Sequence, residues 1–275
     1  MRKWGVLLWV LALAVTAWPS AAQDDEPPSV WQPTPGTSWQ IQLSHNERID
    51  TSFDVAMYDI DLFDAPQEVI DALHADGRVV ICYFSAGSFE DWRPDVDAFP
   101  AEVIGAEYEG WEGEWWLDIR RLDLLGPIME ARLDLAVEKG CDGVDPDNVE
   151  GYENESGFPL TYEDQLAFNL WLAEQAHARG LSVALKNDLG QIEDLVDVFD
   201  FQVNEECFQY RDCDTLTPFI EADKAVFNIE YRGMARRICP QANARGFSTL
   251  FKTLDLDAEV IAACWDWGVD ARRPE

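Results

Sequence analysis

Eight short β-rich runs recur along the chain, at 39–44, 55–61, 79–85, 143–148, 182–188, 199–205, 225–231 and 247–253, and nearly every interval between them carries a helical pattern. Strands that alternate with helices build a parallel sheet, because parallel neighbours need a crossover connection. Eight such units are enough to close the sheet on itself. The expected fold class is therefore α/β, a single-domain (β/α)8 barrel of the TIM type. A chain of 275 residues has the right size for it.

The helical intervals carry start and stop signals. Thr161 and Asp164 form a capping pair, Leu166, Leu170 and Ala173 share a face, and Gly180 marks the stop. The stretch 122–139 has Pro127 near its start and Gly140 just beyond its end. Pro66 opens a helix with Val69, Ile70 and Leu73 as its apolar stripe. Shorter helices are expected over 191–199, 216–222, 234–244 and 258–267.

Two places depart from an ideal barrel. About ten residues separate the first two runs, too few for a full crossover helix. The segment 86–121, after the third run, is long and rich in Trp, Glu and Asp, and a further strand-like stretch at 115–119 leaves the strand count open by one. Insertions at the carboxyl ends of barrel strands commonly shape a substrate cleft.

The amino terminus sets the expected compartment. Arg2 and Lys3 precede an apolar run up to about Trp18, and Ser20, Ala21 and Ala22 follow, the order of a cleaved secretory signal over residues 1–22. That run is short for a membrane span. A polar, proline-rich lead-in over 23–35 precedes the barrel domain, taken as 36–275. The expected location is secreted or periplasmic, with no stable membrane association after signal removal. All six cysteines lie beyond the signal, and an even count in an exported chain favours disulfides. Cys207 and Cys213 are close enough to staple one loop; Cys82 with Cys141 and Cys239 with Cys264 are weaker pairings. There is no C-x-x-C pair, and His45, His74 and His177 are scattered, so neither a zinc site nor any other metal or cofactor is expected.

Acidic residues outnumber basic ones 53 to 20, a net charge of -33. Such a surface repels nucleic acid and anionic membranes and draws in a polycation. It equally suits a solvated coat in a salty habitat, so charge alone names no substrate.

Chemistry collects where barrel enzymes build their sites, at the carboxyl ends of the runs. These ends read Tyr58-Asp59-Ile60-Asp61, Cys82-Tyr83-Phe84-Ser85, Asp145-Pro146-Asp147-Asn148, Lys186-Asn187-Asp188, Asn204-Glu205-Glu206 and Asn228-Ile229-Glu230-Tyr231. Any one acid there serves as well as a helix cap. Acids or amides ending five successive strands exceed what capping needs, and buried charges need partners. Two carboxylates flanking a glycosidic bond are the equipment of glycoside hydrolysis. Asp147 and Glu205 are the best pair, with Asp145, Glu206 and Glu230 as the other acids to weigh. Trp39, Tyr83, Trp92, Trp115, Trp116 and Tyr231 are candidates to stack on sugar faces.

In order and spacing these motifs, with Trp39-Gln40-Ile41-Gln42-Leu43, Trp116-Leu117-Asp118-Ile119 and Cys207, resemble glycoside hydrolase family 114, the endo-α-1,4-polygalactosaminidase family, over roughly 31–265. The resemblance implies a (β/α)8 barrel that hydrolyses α-1,4-linked galactosamine polymers with retention. It places the catalytic carboxylates on Asp147, as nucleophile, and Glu205, as acid/base. It lines the sugar subsites with Asp59, Asp61, Tyr83, Asp145, Asn148, Lys186, Asn204, Glu230 and Tyr231. The expected partner is a cationic or amino-sugar polysaccharide. A non-catalytic carbohydrate-binding barrel and a metal-assisted polysaccharide deacetylase are the competing readings. A calcium loop at 145–150 fits poorly, since Val149 stands where a fifth-position ligand belongs.

Overall fold

The computed structural model describes Met1, residues 30–44 and residues 48–267. The rest of the expected signal segment and residues 23–29 of the lead-in lie outside the described residues. The strands are β1 (Trp39–Gln42), β2 (Met57–Asp61), β3 (Val79–Ser85), β4 (Ser88–Glu90), β5 (Ile104–Glu107), β6 (Glu114–Leu117), β7 (Gly143–Asp147), β8 (Ser182–Lys186), β9 (Phe201–Glu205), β10 (Val226–Glu230), β11 (Ser248–Phe251) and β12 (Ala262–Ala263). Eight of them, β1, β2, β3, β7, β8, β9, β10 and β11, pair in parallel in that order, one for each expected run. The run at 115–119 lies instead in β6, the centre of a separate antiparallel sheet ordered β4-β6-β5. It belongs to the insertion, so the barrel count stays at eight.

Side chains join the first parallel strand to the last. The Trp39 indole N–H donates to the Ser248 carbonyl at 2.9 Å. The buried Lys252 ammonium, just past β11, donates to Gln40 Oε1 and to the Ile41 carbonyl at 2.9 and 2.7 Å.

The strand period of two divides the strand residues between two cores. Trp39, Ile41, Met57, Ile81, Ala184, Phe201, Val203, Phe227, Ile229 and Leu250 fill the barrel interior. Their neighbours Tyr58, Ile60, Val80, Cys82, Phe84, Val144, Val183, Leu185 and Val226 pack outward under the helices. The helices are α1 (Gln67–Ala75), α2 (Leu122–Lys139), α3 (Tyr162–Ala178), α4 (Ile192–Leu195), α5 (Cys207–Tyr210), α6 (Thr217–Glu221) and α7 (Ala235–Arg245). Thr161 and Asp164 form the reciprocal capping box expected of them. Gly140 ends α2 in the left-handed conformation, φ +81°.

Two local expectations change. Residues 258–267 hold no α-helix: Ala262 and Ala263 pair antiparallel with β11, and Cys264 is bonded to Cys239. That pairing overrides the weak helical pattern. The helix expected over 191–199 shrinks to α4, a single turn. Within the lead-in, the Trp31 ring meets Phe201 edge-on at 5.7 Å, and the Pro33 carbonyl accepts from Ala225 N–H at 2.8 Å.

Three disulfides, Cys82–Cys141, Cys207–Cys213 and Cys239–Cys264, use all six cysteines. His74 and His177 are each held by a carboxylate, Asp142 and Asp200, at 2.9 Å. Among the described residues no helix is long and apolar enough to cross a membrane.

Candidate active site

The inward parity of the strands runs from apolar residues to charged ones. Above Met57, Ile81, Ala184 and Val203 come Asp59, Tyr83, Lys186 and Glu205 on the same faces, while Gly143, Asp145 and Asp147 share the inward face of β7. Pairing register sets Tyr83 beside both Asp61 and Asp145. A cleft opens over this ring, lined by Asp61, Tyr83, Asp147, Asn148, Lys186, Asn187, Glu205 and Tyr231.

Lys186 is the hub. Its ammonium lies 3.4 Å from Asp147 Oδ1, 3.7 Å from Asp145 Oδ2 and 3.9 Å from Glu205 Oε2. Burial works against its charge, but Asp147, Asp145 and Glu205 outweigh that and hold it protonated, well above the ordinary lysine value. The Asp147 and Glu205 oxygens that share this ammonium cannot be farther apart than the sum of their distances to it, so both face one small space.

Each of the two carboxylates has its own supports. Asp147 accepts a hydrogen bond from the Tyr83 hydroxyl at 2.8 Å. Burial, then the Asp147 charge, raises the Tyr83 hydroxyl well above its usual value, so it remains a donor. Glu205 accepts from Asn187 Nδ2 at 3.1 Å and from the Tyr231 hydroxyl, while its own N–H donates to Asn187 Oδ1 at 3.0 Å.

The backbone is strained where it presents these groups. Asn148, Asn187 and Glu206, the residues just past β7, β8 and β9, all have positive φ, of 61°, 49° and 59°. Non-glycine residues rarely hold this conformation, and it clusters at functional sites. Asn148 is fastened by its amide to the Ser85 and Ser88 hydroxyls at 2.9 and 3.1 Å. Gly87 passes so close to it that a Cβ there would lie 1.7 Å from the Asn148 carbonyl oxygen.

Other residues singled out in the sequence lie behind the cleft wall. Asp59 and Asp145 are fully buried beneath it. Asn204 and Glu230 fall on the opposite parity of β9 and β10; Glu230 accepts from Phe208 N–H and holds the start of α5. Asp61 lines the cleft, but its oxygens are committed to Phe63 and Asp64 N–H groups and to Arg93, at 2.9, 2.9 and 2.7 Å. Among the aromatic candidates, Tyr83, Trp92 and Tyr231 line the cleft. Trp39 is buried in the barrel interior and Trp116 in the insertion, so neither is offered to a sugar, while half-buried Trp115 packs on Phe89 outside the cleft.

Sequence reasoning missed the wall that the insertion builds. Glu90, Arg93, Tyr108, Trp111 and Glu114 line the cleft from that side, with Asp64 and Asp255 from loops. Arg93 is buried and forks onto both oxygens of Glu90 at 2.7 and 2.8 Å while bonding Asp61, which ties the insertion to β2. Arg132 of α2 does the same from outside, bonding Asp95 and the Ser85 carbonyl. Burial, then the Glu90 charge, raises the Glu114 carboxyl to about 8. The density of Trp and Glu over 86–121 was the available signal, but nothing in it fixed which side chains turn inward.

The model of Glycoside-hydrolase family GH114 matches residues 20–266. The structure of Ega3 from Aspergillus fumigatus, a complex with galactosamine, is 44% identical, with a TM-score of 0.80 over 84% of this chain and 96% of that one. The glycoside hydrolase domain of PelA from Pseudomonas aeruginosa shares the fold at 13% identity, with a TM-score of 0.66 over 82% of this chain and 97% of that one. The α-galactosidase TtGalA from Thermus thermophilus, at 12% identity and a TM-score of 0.51 over 82% of this chain and 64% of that one, is a more distant barrel. No curated protein matches the chain.

Proposed function

The chain belongs to glycoside-hydrolase family GH114 and is a glycoside hydrolase; from that premise we propose that it is a secreted enzyme cleaving α-1,4-linked, galactosamine-containing polysaccharide by a retaining, two-carboxylate mechanism. The observation that carries this reading is the convergence of Asp147 and Glu205 on the Lys186 ammonium at the floor of one cleft. The galactosamine bound to the 44%-identical Ega3 supports the sugar. The acidic chain suits a cationic polymer. Three disulfides and the amino-terminal signal pattern support export.

In the first step Asp147 attacks the anomeric carbon while the Glu205 carboxyl gives its proton to the departing glycosidic oxygen, leaving a glycosyl ester on Asp147. In the second, Glu205 takes a proton from water, whose oxygen displaces Asp147 and restores the anomeric configuration. Lys186 and the Tyr83 hydroxyl hold Asp147 in place. Tyr231 and Asn187 fix the orientation of Glu205. Tyr83, Asn148, Lys186 and Tyr231 contact the sugar bound over the two acids, while Asp59, Asp145, Asn204 and Glu230 support that layer from behind.

The test is to incubate the protein with partly deacetylated α-1,4-polygalactosamine and follow products by mass spectrometry and anomeric NMR. Oligomers that first appear as the α-anomer are expected, and Asp147→Asn and Glu205→Gln should each lose at least about 100-fold in rate. Oligomers from both variants at the wild-type rate would discard the site. Intact chains that have lost acetyl groups would make the protein a deacetylase.

A further inference from the structure

The insertion that walls the cleft has a second, outer face. Beyond Trp111 runs a groove lined by Asp91, Glu107, Glu109, Glu112 and Glu114, and no Lys, Arg or His contributes to it. Tyr108, Trp111 and Glu114 line both this groove and the catalytic cleft, so the two depressions share a rim.

Trp111 stands on that rim with half its surface exposed, 51%. A large apolar ring left in water at the junction of two depressions is a natural platform for a sugar face. The turn that presents it is braced. Trp111 N–H donates to the Tyr108 carbonyl, Tyr108 N–H to the Glu114 carbonyl, and Asp91 N–H to the Gly113 carbonyl, at 3.1, 2.8 and 3.0 Å. Gly113 has φ +92°, and a Cβ there would lie 2.9 Å from both Asp91 Oδ1 and the Trp92 ring. Only glycine lets Trp92 lie against the tip.

Glu114 adds an independent observation. It is only 6% exposed, yet the one side-chain hydrogen bond to its carboxyl comes from the Ser88 hydroxyl at 3.2 Å, and it makes no ion pair among the described residues. A buried carboxyl with no ion-pair partner among the described residues, lining both depressions, is suited to give up its proton and receive an arriving ammonium group.

We infer that the outer groove is a distal subsite of the cleft, where a further hexosamine unit of the same polysaccharide stacks on Trp111 and sets its free ammonium toward Glu114, Glu109 and Glu112. The inference rests on the galactosamine-polymer reading and adds to it a direction for the chain across the rim, a dependence on chain length, and a preference for unacetylated units there. One unit bound over the catalytic acids and another beyond Trp111 place the scissile bond inside a longer chain.

The experiment measures kcat/KM on de-N-acetylated α-1,4-galactosamine oligomers of increasing length. Wild-type values should climb with length until the outer groove is filled. Trp111→Ala should lower kcat/KM about tenfold more on the longest oligomer than on the shortest one cleaved, through KM. Glu109→Gln with Glu112→Gln, both outside the catalytic cleft, should give a smaller length-dependent loss and a weaker salt dependence. Full N-acetylation of the oligomers should abolish the difference between this double variant and wild type. A loss by one uniform factor at every length, or no loss, overturns the subsite while leaving the hydrolase reading intact. Wild-type protein that cleaves none of the oligomers overturns the substrate reading and the subsite's ligand with it.

Discussion

Asp59 and Asp145 face each other beneath the cleft with every carboxyl oxygen buried, and among the described residues no N–H group or hydroxyl donates to any of them. The proton that joins them is therefore a carboxyl's own. Burial, then the Asp145 charge, pushes Asp59 well above the usual carboxylate range. Burial also raises Asp145, to about 6, with Lys186 opposing the rise. Asp59 keeps the proton, and Asp145 keeps its charge beside the Lys186 ammonium. Asp59→Asn replaces that proton with an amide N–H and should stay within about 1 kcal/mol of wild type. Asp59→Ala should cost about 1–3 kcal/mol by leaving Asp145 unsatisfied. Urea denaturation of both variants decides it: equal losses would mean that the pair shares no proton.

Among the described residues, Lys186 is the one cation paired with Asp145, Asp147 and Glu205. Removing one partner of a buried ion pair leaves an uncompensated charge, worth about 3–5 kcal/mol. Lys186→Met keeps the length of the stem over the Tyr83 ring, which the ammonium now faces at 5.4 Å. Its melting temperature should fall by roughly 10 °C, and hydrolysis should drop at least about 100-fold. An unchanged melting temperature would show that buried Asp145 tolerates the loss by taking up a proton.

The Tyr231 hydroxyl gives Glu205 one of its two side-chain donors, the other being Asn187. Hydrogen bonds to charged groups contribute about 1.5–3 kcal/mol. Tyr231→Phe keeps the ring and should cut kcat by about 10- to 100-fold with a smaller change in KM. A rise in KM with kcat unchanged would make Tyr231 a sugar contact only.

The barrel was legible because its signals are periodic and local. Each β-rich run had a β-branched or aromatic interior and a polar end, and the helix stops at Gly140 and Gly180 fell where the chain turns. Lys186, Asp147 and Glu205 stood out because they end strands that parity turns inward. The same parity puts Asn204 and Glu230 one residue out of phase with Glu205 and Tyr231: Asn204 bonds Asn187 from the side, and Glu230 holds the start of α5. Spacing within a strand end could not settle that phase before the register was known. The insertion was opaque for another reason: Trp111 and Trp116 are alike in sequence, and only the turn at 108–113 leaves one in water and the other in the core. Ala262 and Ala263 read as helix because alanine favours it, and tertiary pairing with β11 prevailed.

Several buried acids tie the stability of the fold to pH. Burial is the leading cause in each case: Glu114 and Asp188 are each raised to about 8, and Asp145 to about 6. In the unfolded chain these groups lose their protons near pH 4, so between about pH 4 and pH 8 the folded form binds more protons than the unfolded one. Stability is then fullest at the acidic end of that window and declines as pH rises through about 6 and 8. The surplus of 53 acidic over 20 basic residues acts in the same direction, since deprotonation adds to self-repulsion. Melting temperature should therefore fall steadily from pH 5 to pH 8. Glu114→Gln should flatten the upper half of that slope, because an amide has no proton to lose. High salt separates the two contributions: it screens the surface charges and raises the melting temperature at pH 8, but it reaches the buried acids far less. A melting temperature that climbs between pH 5 and pH 8 would mean that these carboxyls are ionised throughout and paired more tightly than their surroundings imply.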